Sequence, residues 1–423
     1  MAGPLSRHLL PDTATIDDRG RLSIGGCDVL ALAHEYGTPL FVYDEAQLRA
    51  RCREAVRAFP DGAAYATKAF LCLAMAKLAH EEGMHLDVGT IGEYFVARRA
   101  GVPAEHMVLH GNNKSLEELR TAIVDGIGRI VVDSFDELDR LDVLHREIGL
   151  RPRVLLRLTP GVEAHTHEFI ATGHDDTKFG FTVSSGLAQR AVGRASDSAS
   201  VELVGVHAHI GSQVFRLDSI EDAVRIVGDL ARPYGLPELS IGGGLGVAYV
   251  EGESAPTMTQ WGDTVRKACA DAGVSARITA EPGRSIVASA AITLYTVGTI
   301  KELPGIRTYL SVDGGMSDNP RPVLYGSGYE TFLPRASHAP RPRAVRVVGK
   351  HCESGDLLVR EAWVPDDIVV GDILATPVTG AYGHSMGSNY QKVQRPAVVF
   401  VHDGDARVVV RRETLDDLIR FDR

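Results

Sequence analysis

The stretch MVLHGNNKSLEELRTAIVDGIGRIVVDSFDEL (107–138) states twice the phrase from which most of the chain is built. A short apolar run, MVL and then RIVV, ends in a polar turn, and the turn opens a segment with apolar residues at helical spacing. Both helices start with a capping-box pattern, Ser115 with Glu118 and Ser134 with Glu137, in which each pair can satisfy the free amides of the first turn. Outward from here the same phrase recurs from about residue 37 to 285. The other strand candidates are AAYATKA (63–69), MHLDVG (84–89), RVLLRLTP (153–160), LVGVHAHIG (203–211), LSIGGGL (239–245) and RITAEPG (277–283), eight in all with MVLHGN (107–112) and RIVVDS (129–134). Each is apolar along its length, as strands covered on both faces must be. The pattern predicts an α/β fold, a (β/α)8 TIM-like barrel, with an open doubly wound sheet as the structural alternative.

After residue 285 the alternation stops. IVASAAITLYTVGTI, TYLSVDGG, RAVRVVGKHC, DILATPVTG and PAVVFVHDGDARVVVRR read as successive strands of a second, all-β domain. The N-terminal residues also read as β, with GRLSIGGCDV offering a turn and a strand, and are expected to complete that domain. The expected division is 37–285 for the barrel, and 1–36 with 286–423 for the β domain.

A chain of 423 residues with 44% hydrophobic and 24% charged residues is an ordinary globular composition, which excludes disordered, collagen-like and coiled-coil chains. Asp plus Glu outnumber Lys plus Arg by 55 to 45, a net charge of −10 that argues against nucleic acid or an anionic membrane as partner. Five cysteines, Cys27, Cys52, Cys72, Cys269 and Cys352, are an odd count without CxxC spacing, which suits a reducing compartment. MAGPLSRHLLPDTATIDDRG carries acids and a proline where a signal peptide needs an apolar core, and no run approaches the roughly 18 apolar residues of a membrane span. A cytoplasmic protein is expected.

In a barrel of this kind the reactive groups sit at the C-terminal strand ends. Those ends carry Lys68, Asp87, His110 with Asn112, Asp133, Arg157, His209 with Ser212, Gly242 to Gly244, and Glu281 with Arg284. Lys68 lies between AAYAT and AFLCLAMAKLA, apolar surroundings that would favour a neutral, nucleophilic amine able to form a Schiff base; the plain reading is a lysine snorkelling to solvent. GGGLG (242–246) leaves backbone amides unobstructed for a phosphate, although a tight turn explains it equally well, and EPGR (281–284) stands where this fold often completes a phosphate site. His207 and His209, two apart on a strand, share a face and could hold a metal, with His165 and His167 in a loop.

YATKA around Lys68, LDVG around Asp87, HGNNKS (110–115), PGVEAHTHEFIATGHDDTKFGF (160–181), HAHIGSQ (207–213), GGGLG, EPGRSIVA (281–288), DGGMSDNPRPVLYG (313–326), CESGD (352–356) and GAYGHSMGSNY (380–390) together resemble the diaminopimelate decarboxylases, in order and over nearly the whole chain. These are pyridoxal-phosphate enzymes of the alanine racemase and ornithine decarboxylase fold class. The resemblance implies that Lys68 holds pyridoxal 5'-phosphate, that Glu281 faces its ring nitrogen and that His209 stacks on the ring, with Asp87 also at the cofactor. It implies that Ser212, Gly242, Gly243, Gly244, Gly283, Arg284 and Tyr382 hold the phosphate. Arg284, Arg321, Tyr325 and Tyr382 would bind an amino-acid substrate, Arg as a bidentate fork. Cys352 as proton donor and Glu353 as partner of the distal ammonium would reach in from the second subunit of a homodimer; read alone, Cys352 is a buried small hydrophobe and Glu353 a surface carboxylate. The implied reaction is decarboxylation of meso-diaminopimelate to L-lysine.

Three departures from the family pattern stand out: Phe70 where Asn is common, Gln391 after Tyr390, and His384 with Gly387 beside Tyr382. The nearest alternative is a decarboxylase of the same build acting on ornithine, carboxynorspermidine or a carrier-tethered glutamate. A metal-dependent barrel hydrolase using His207 and His209 is more distant. A non-catalytic relative predicts loss of Lys68 or Cys352, and both are present.

Overall fold

The structure, a computed structural model, describes residues 2–162, 175–209 and 211–423. It divides into two compact units, one of residues Arg51–Gly246 and Ala255–Ser285, the other of Met1–Ala50, Val247–Ser254 and Ile286–Arg423.

In the first unit, eight strands among the described residues form the parallel path, β1 (Ala64–Ala66), β2 (His85–Val88), β3 (Met107–Leu109), β4 (Arg129–Val132), β5 (Arg153–Thr159), β6 (Glu202–Ala208), β7 (Glu238–Ser240) and β8 (Arg277–Thr279), and a two-residue strand, Phe181–Thr182, pairs parallel with β5 off that path. Each pairs with its successor, and a parallel bridge between Ala63 and Ala280 joins the last strand to the first, so the sheet closes on itself as the barrel expected. The open doubly wound alternative is thereby set aside. Val108, Val131, Leu155 and Val204, one from each of β3 to β6, form a contiguous buried cluster. Burying each such side chain stabilises the fold by roughly 1.5–3 kcal/mol.

Helices stand between the strands. The one at Leu116–Val124 has the full capping box of Ser115 and Glu118. That at Phe135–Ile148 has half of one: Ser134 accepts from the Glu137 amide, but the Glu137 carboxylate turns to the Asp133 amide at 3.0 Å and to Lys114 Nζ at 2.8 Å. Lys114, 2% exposed, also donates to the carbonyls of Gly111 and Val131, so a buried cation has drawn the acid away from its expected partner. A capping box at Thr257 and Gln260, not foreseen, opens the helix Met258–Asp271.

The second unit is built on a mixed sheet in the order Leu357–Val364, Arg343–Val348, Arg307–Val312, Ala291–Leu303, Leu40–Asp44, Ala397–His402, Asp405–Val410, with Ile373–Pro377 also paired to Ala291–Leu303. A small antiparallel sheet of Thr15–Ile16, Leu22–Ile24 and Cys27–Asp28 lies in the N-terminal segment. The segment 37–50, expected in the barrel, groups with this unit instead, because Leu40–Asp44 pairs with both Ala291–Leu294 and Ala397–Val401. All five residues of Leu40–Asp44 are buried, the first four of them apolar, and such a run reads alike in either setting. Among the described residues no helix is long and apolar enough to cross a membrane.

Candidate active site

β1 ends at Ala66 and passes into one helical turn, Thr67–Ala69, that carries Lys68. Thr67 and Ala69 are buried while Lys68 is exposed, so the backbone is anchored and the amine presented. The apolar surroundings expected for the amine belong to its neighbours, which face the core. Thr67 Oγ1 donates to the Asp87 carbonyl at 2.8 Å, tying the end of β1 to that of β2. Phe70 is fully buried and its carbonyl accepts from the Tyr65 hydroxyl at 2.6 Å, so this departure is absorbed by the core.

Glu281, just past β8 and 7% exposed, is the centre of the rim. Its Oε1 accepts from His110 Nε2 and from Ser240 Oγ, both at 3.1 Å, and its Oε2 accepts from His207 Nε2 at 2.9 Å. Burial pushes the Glu281 carboxyl up, but the charge of His110 and the hydrogen bonds of both histidines overcome it and hold it well below the ordinary carboxylate value. Asp87, whose carboxylate is 3.7 Å from His110 Nε2, is raised by burial to about 6 despite that histidine. Burial lowers His110, yet Asp87 and Glu281 outweigh it and raise the imidazole; for His207 burial prevails and the imidazole is lowered. The rim thus favours the proton on His110 and disfavours a second one on His207.

His209 follows β6, and its Nδ1 accepts from the Gly243 amide at 3.1 Å. Burial, then the charges of Lys68 and Arg157, hold it well below the ordinary histidine value, leaving a flat neutral ring. In the glycine turn after β7 a Cβ on Gly243 would stand 2.3 Å from the Glu281 carbonyl, and one on Gly244, at φ +112, 2.2 Å from the Gly211 carbonyl. No side chain fits. The amides of Gly242 and Gly243 go to Ser240 Oγ and His209, which corrects the expectation of three unobstructed donors; among the described residues the Gly244 amide makes no such internal bond. Arg284 Nη2 donates to Ser212 Oγ at 2.8 Å, and Gly283 packs where a Cβ would meet Ala66 at 2.9 Å. Lys68, Asp87, His209, Ser212, Gly242 to Gly244, Glu281, Gly283 and Arg284 therefore all lie in the barrel unit, at strand ends. An accessible amine, an ionised carboxylate, a neutral ring and amide, hydroxyl and guanidinium donors beside a side-chain-free turn fit pyridoxal phosphate.

The other expected residues belong to the second unit. Arg321, on the short helix Arg321–Tyr325 with Tyr325, is buried: it lies 4.2 Å from the centre of the Tyr249 ring, and its Nη1 bonds the Tyr329 hydroxyl at 2.5 Å. Tyr382 is half-buried at φ +59. Cys352 is exposed, unlike the other four cysteines, which corrects its plain reading as a buried hydrophobe. Its amide donates to Gln391 Oε1 at 3.0 Å, giving that departure a structural task. Glu353, also exposed, accepts from the Tyr390 hydroxyl at 3.5 Å. His384 packs edge-on to Phe41, and burial lowers it to about 4.

Ser240 and the pairing of His110 and His207 with Glu281 were not foreseen. The His207 and His209 pair of the distant metal alternative does not converge, because His207 turns to Glu281 and His209 to Gly243. The ligand atoms of His110, His207 and Glu281 do lie within 4.8 Å of one another, but both imidazoles spend them on the carboxylate. Arg157, read as a rim group, is buried over the Phe179 ring, with Asp133 3.7 Å away. His165 and His167 lie outside the described residues.

Residues 45–288 match the family model described as pyridoxal-dependent decarboxylase, pyridoxal binding domain. A diaminopimelate decarboxylase of Mycobacterium tuberculosis is 47% identical over 99% of this chain and 98% of its own, and one of Bacillus subtilis 44% over 98% of each. Among solved structures, a diaminopimelate decarboxylase from M. jannaschii in complex with L-lysine superposes with a TM-score of 0.90 at 33% identity, covering 97% of this chain and 98% of that one.

Proposed function

The chain belongs to the diaminopimelate decarboxylases of the pyridoxal-dependent decarboxylase family, and on that premise we propose that it converts meso-2,6-diaminopimelate to L-lysine and carbon dioxide, the last step of lysine biosynthesis. The observation that carries the reading is the 47% identity across 99% of the chain to an enzyme of that name.

Bound pyridoxal phosphate supplies an electron sink for the pair left on the α-carbon when the carboxylate departs. The chain supplies the rest. Lys68 anchors the cofactor covalently, Glu281 offers its ring nitrogen a charged acceptor, and neutral His209 stacks on the ring, with Asp87 beside them. Ser212, the Gly244 amide, Gly283, Arg284 and Tyr382 hold the phosphate, while Gly242 and Gly243 shape the turn. Arg284, Arg321, Tyr325 and Tyr382 orient the substrate carboxylates. Cys352 Sγ delivers a proton to the α-carbon and Glu353 pairs with the distal ammonium. Both are exposed on their own chain, which supports a role in the partner's site of a homodimer. Five free thiols support a cytoplasmic setting.

The test is a panel of meso-diaminopimelate, ornithine, carboxynorspermidine and carrier-tethered glutamate incubated with the holoenzyme, with released carbon dioxide followed. Release from meso-diaminopimelate with formation of L-lysine is expected; inertness toward it overturns the reading.

A further inference from the structure

Glu281 sits where a carboxylate is hard to keep charged. It is 7% exposed, and the Asp87 carboxylate faces the same histidine, His110, at 3.7 Å. Burial and a like charge both favour the neutral acid, and an acid protonated on the oxygen facing the ring could no longer accept from a ring N–H. Three donors oppose them: His110 Nε2 and Ser240 Oγ on one oxygen and His207 Nε2 on the other. The histidines come from opposite sides of the barrel's sequence, 171 and 74 residues before the acid, and their rings meet edge to face with centroids 5.0 Å apart.

We propose that His110 and His207 are positioning residues that clamp Glu281 and keep it ionised, His110 as the charged partner and His207 as a neutral donor. That Glu281 faces a cofactor ring rests on the function proposed above. His207 donates through Nε2, so its neutral form carries the proton there; Nδ1 is then an acceptor, and it is buried with no hydrogen-bond partner among the described residues. A second proton on that ring would have no acceptor. His110 differs because two carboxylates share it. The other charged or titratable groups acting on Glu281, Asp87 or the two histidines are Lys68, Glu93, Arg157 and His209.

The experiment measures cofactor release from the holoenzyme against pH on the acid side, by filtration and absorbance, at pH values where far-UV circular dichroism shows each protein folded. An opposite charge within about 4–6 Å is worth 1–3 pH units, so His110→Gln should move the acid midpoint up by about one unit or more. His207→Gln, which keeps a neutral donor, should stay close to the parent, while His207→Leu should move upward. His110→Asn is made alongside, and whichever His110 variant folds decides. Release curves of the His110 variants that coincide with the parent's overturn the inference. Glu281→Gln separates the two levels: if it leaves retention and the visible spectrum unchanged, the reading of Glu281 itself falls, whereas a response to Glu281→Gln with none to the His110 variants removes the clamp alone.

Discussion

Lys114→Met removes the cation on which one side of the rim is built. Its ammonium reaches three acceptors, the Val131 carbonyl at 2.6 Å, the Gly111 carbonyl at 2.7 Å and Glu137 Oε1 at 2.8 Å, and both members of the ion pair are no more than 2% exposed. Without the lysine, Glu137 keeps the Asp133 amide as a donor and becomes a buried charge with no counterion. Breaking a buried pair by removing one partner costs ~3–5 kcal/mol, and that range is the expected loss here. Burial already raises the Glu137 carboxyl above its ordinary value in spite of Lys114. A carboxyl raised in the folded state destabilises above its unfolded value and is relieved as pH falls through the folded one. The defect should therefore be largest at alkaline pH and shrink in acid. Lys114→Met/Glu137→Leu, which leaves no orphaned charge, should recover most of the loss. The assay is urea unfolding followed by the fluorescence of Trp261, buried in the barrel unit, in a Trp363→Phe background. A loss under about 1 kcal/mol for the single variant, or a double variant no better than the single, would refute the reasoning.

Cys352→Ala should fold and retain cofactor, its thermal midpoint little changed because the side chain is exposed, while kcat falls on the order of 10²-fold or more, as loss of a positioned proton donor requires; an unchanged kcat places the donor elsewhere. Gly244→Ala forces a Cβ to 2.2 Å from the Gly211 carbonyl at φ +112 and should cost about 1–3 kcal/mol with reduced cofactor retention, read by thermal denaturation and absorbance. Asp318 is fully enclosed, accepts from the Tyr295 hydroxyl at 2.6 Å and is raised by burial to about 7. Its charge therefore costs stability above that pH, and the cost is relieved between about 7 and the unfolded value near 4. Asp318→Asn should accordingly stabilise by roughly 1–3 kcal/mol at pH 8 and give no advantage near pH 4, measured by denaturation at the two pH values.

The barrel was legible because short, mostly apolar runs alternate with segments of helical period, and polar residues gather at the strand ends. All eight strand candidates overlap an observed strand, two of which begin one residue earlier than the candidate. Leu357–Val364 was missed because LLVREAWV sets an exposed Arg360 and Glu361 in its middle, so neither alternation nor an unbroken apolar run marks it. Leu40–Asp44 was assigned to the wrong unit because burial leaves the same mark in either sheet. At the site, residue types at the strand ends announced the chemistry, but partner choice did not. Lys114 looks like a turn lysine in HGNNKS, and nothing local says that it will claim Glu137 from Ser134. Likewise, the link of His110 and His207 to Glu281 spans 171 and 74 residues and exists only once the sheet has closed.

The central claim is that the amine of residue 68 carries the coenzyme. Borohydride reduction of the yellow holoenzyme, followed by proteolysis and mass mapping, should leave one pyridoxyl label per chain, on the peptide containing Lys68, and Lys68→Ala should be colourless and unlabelled. A label on another lysine, or none at all, would contradict it.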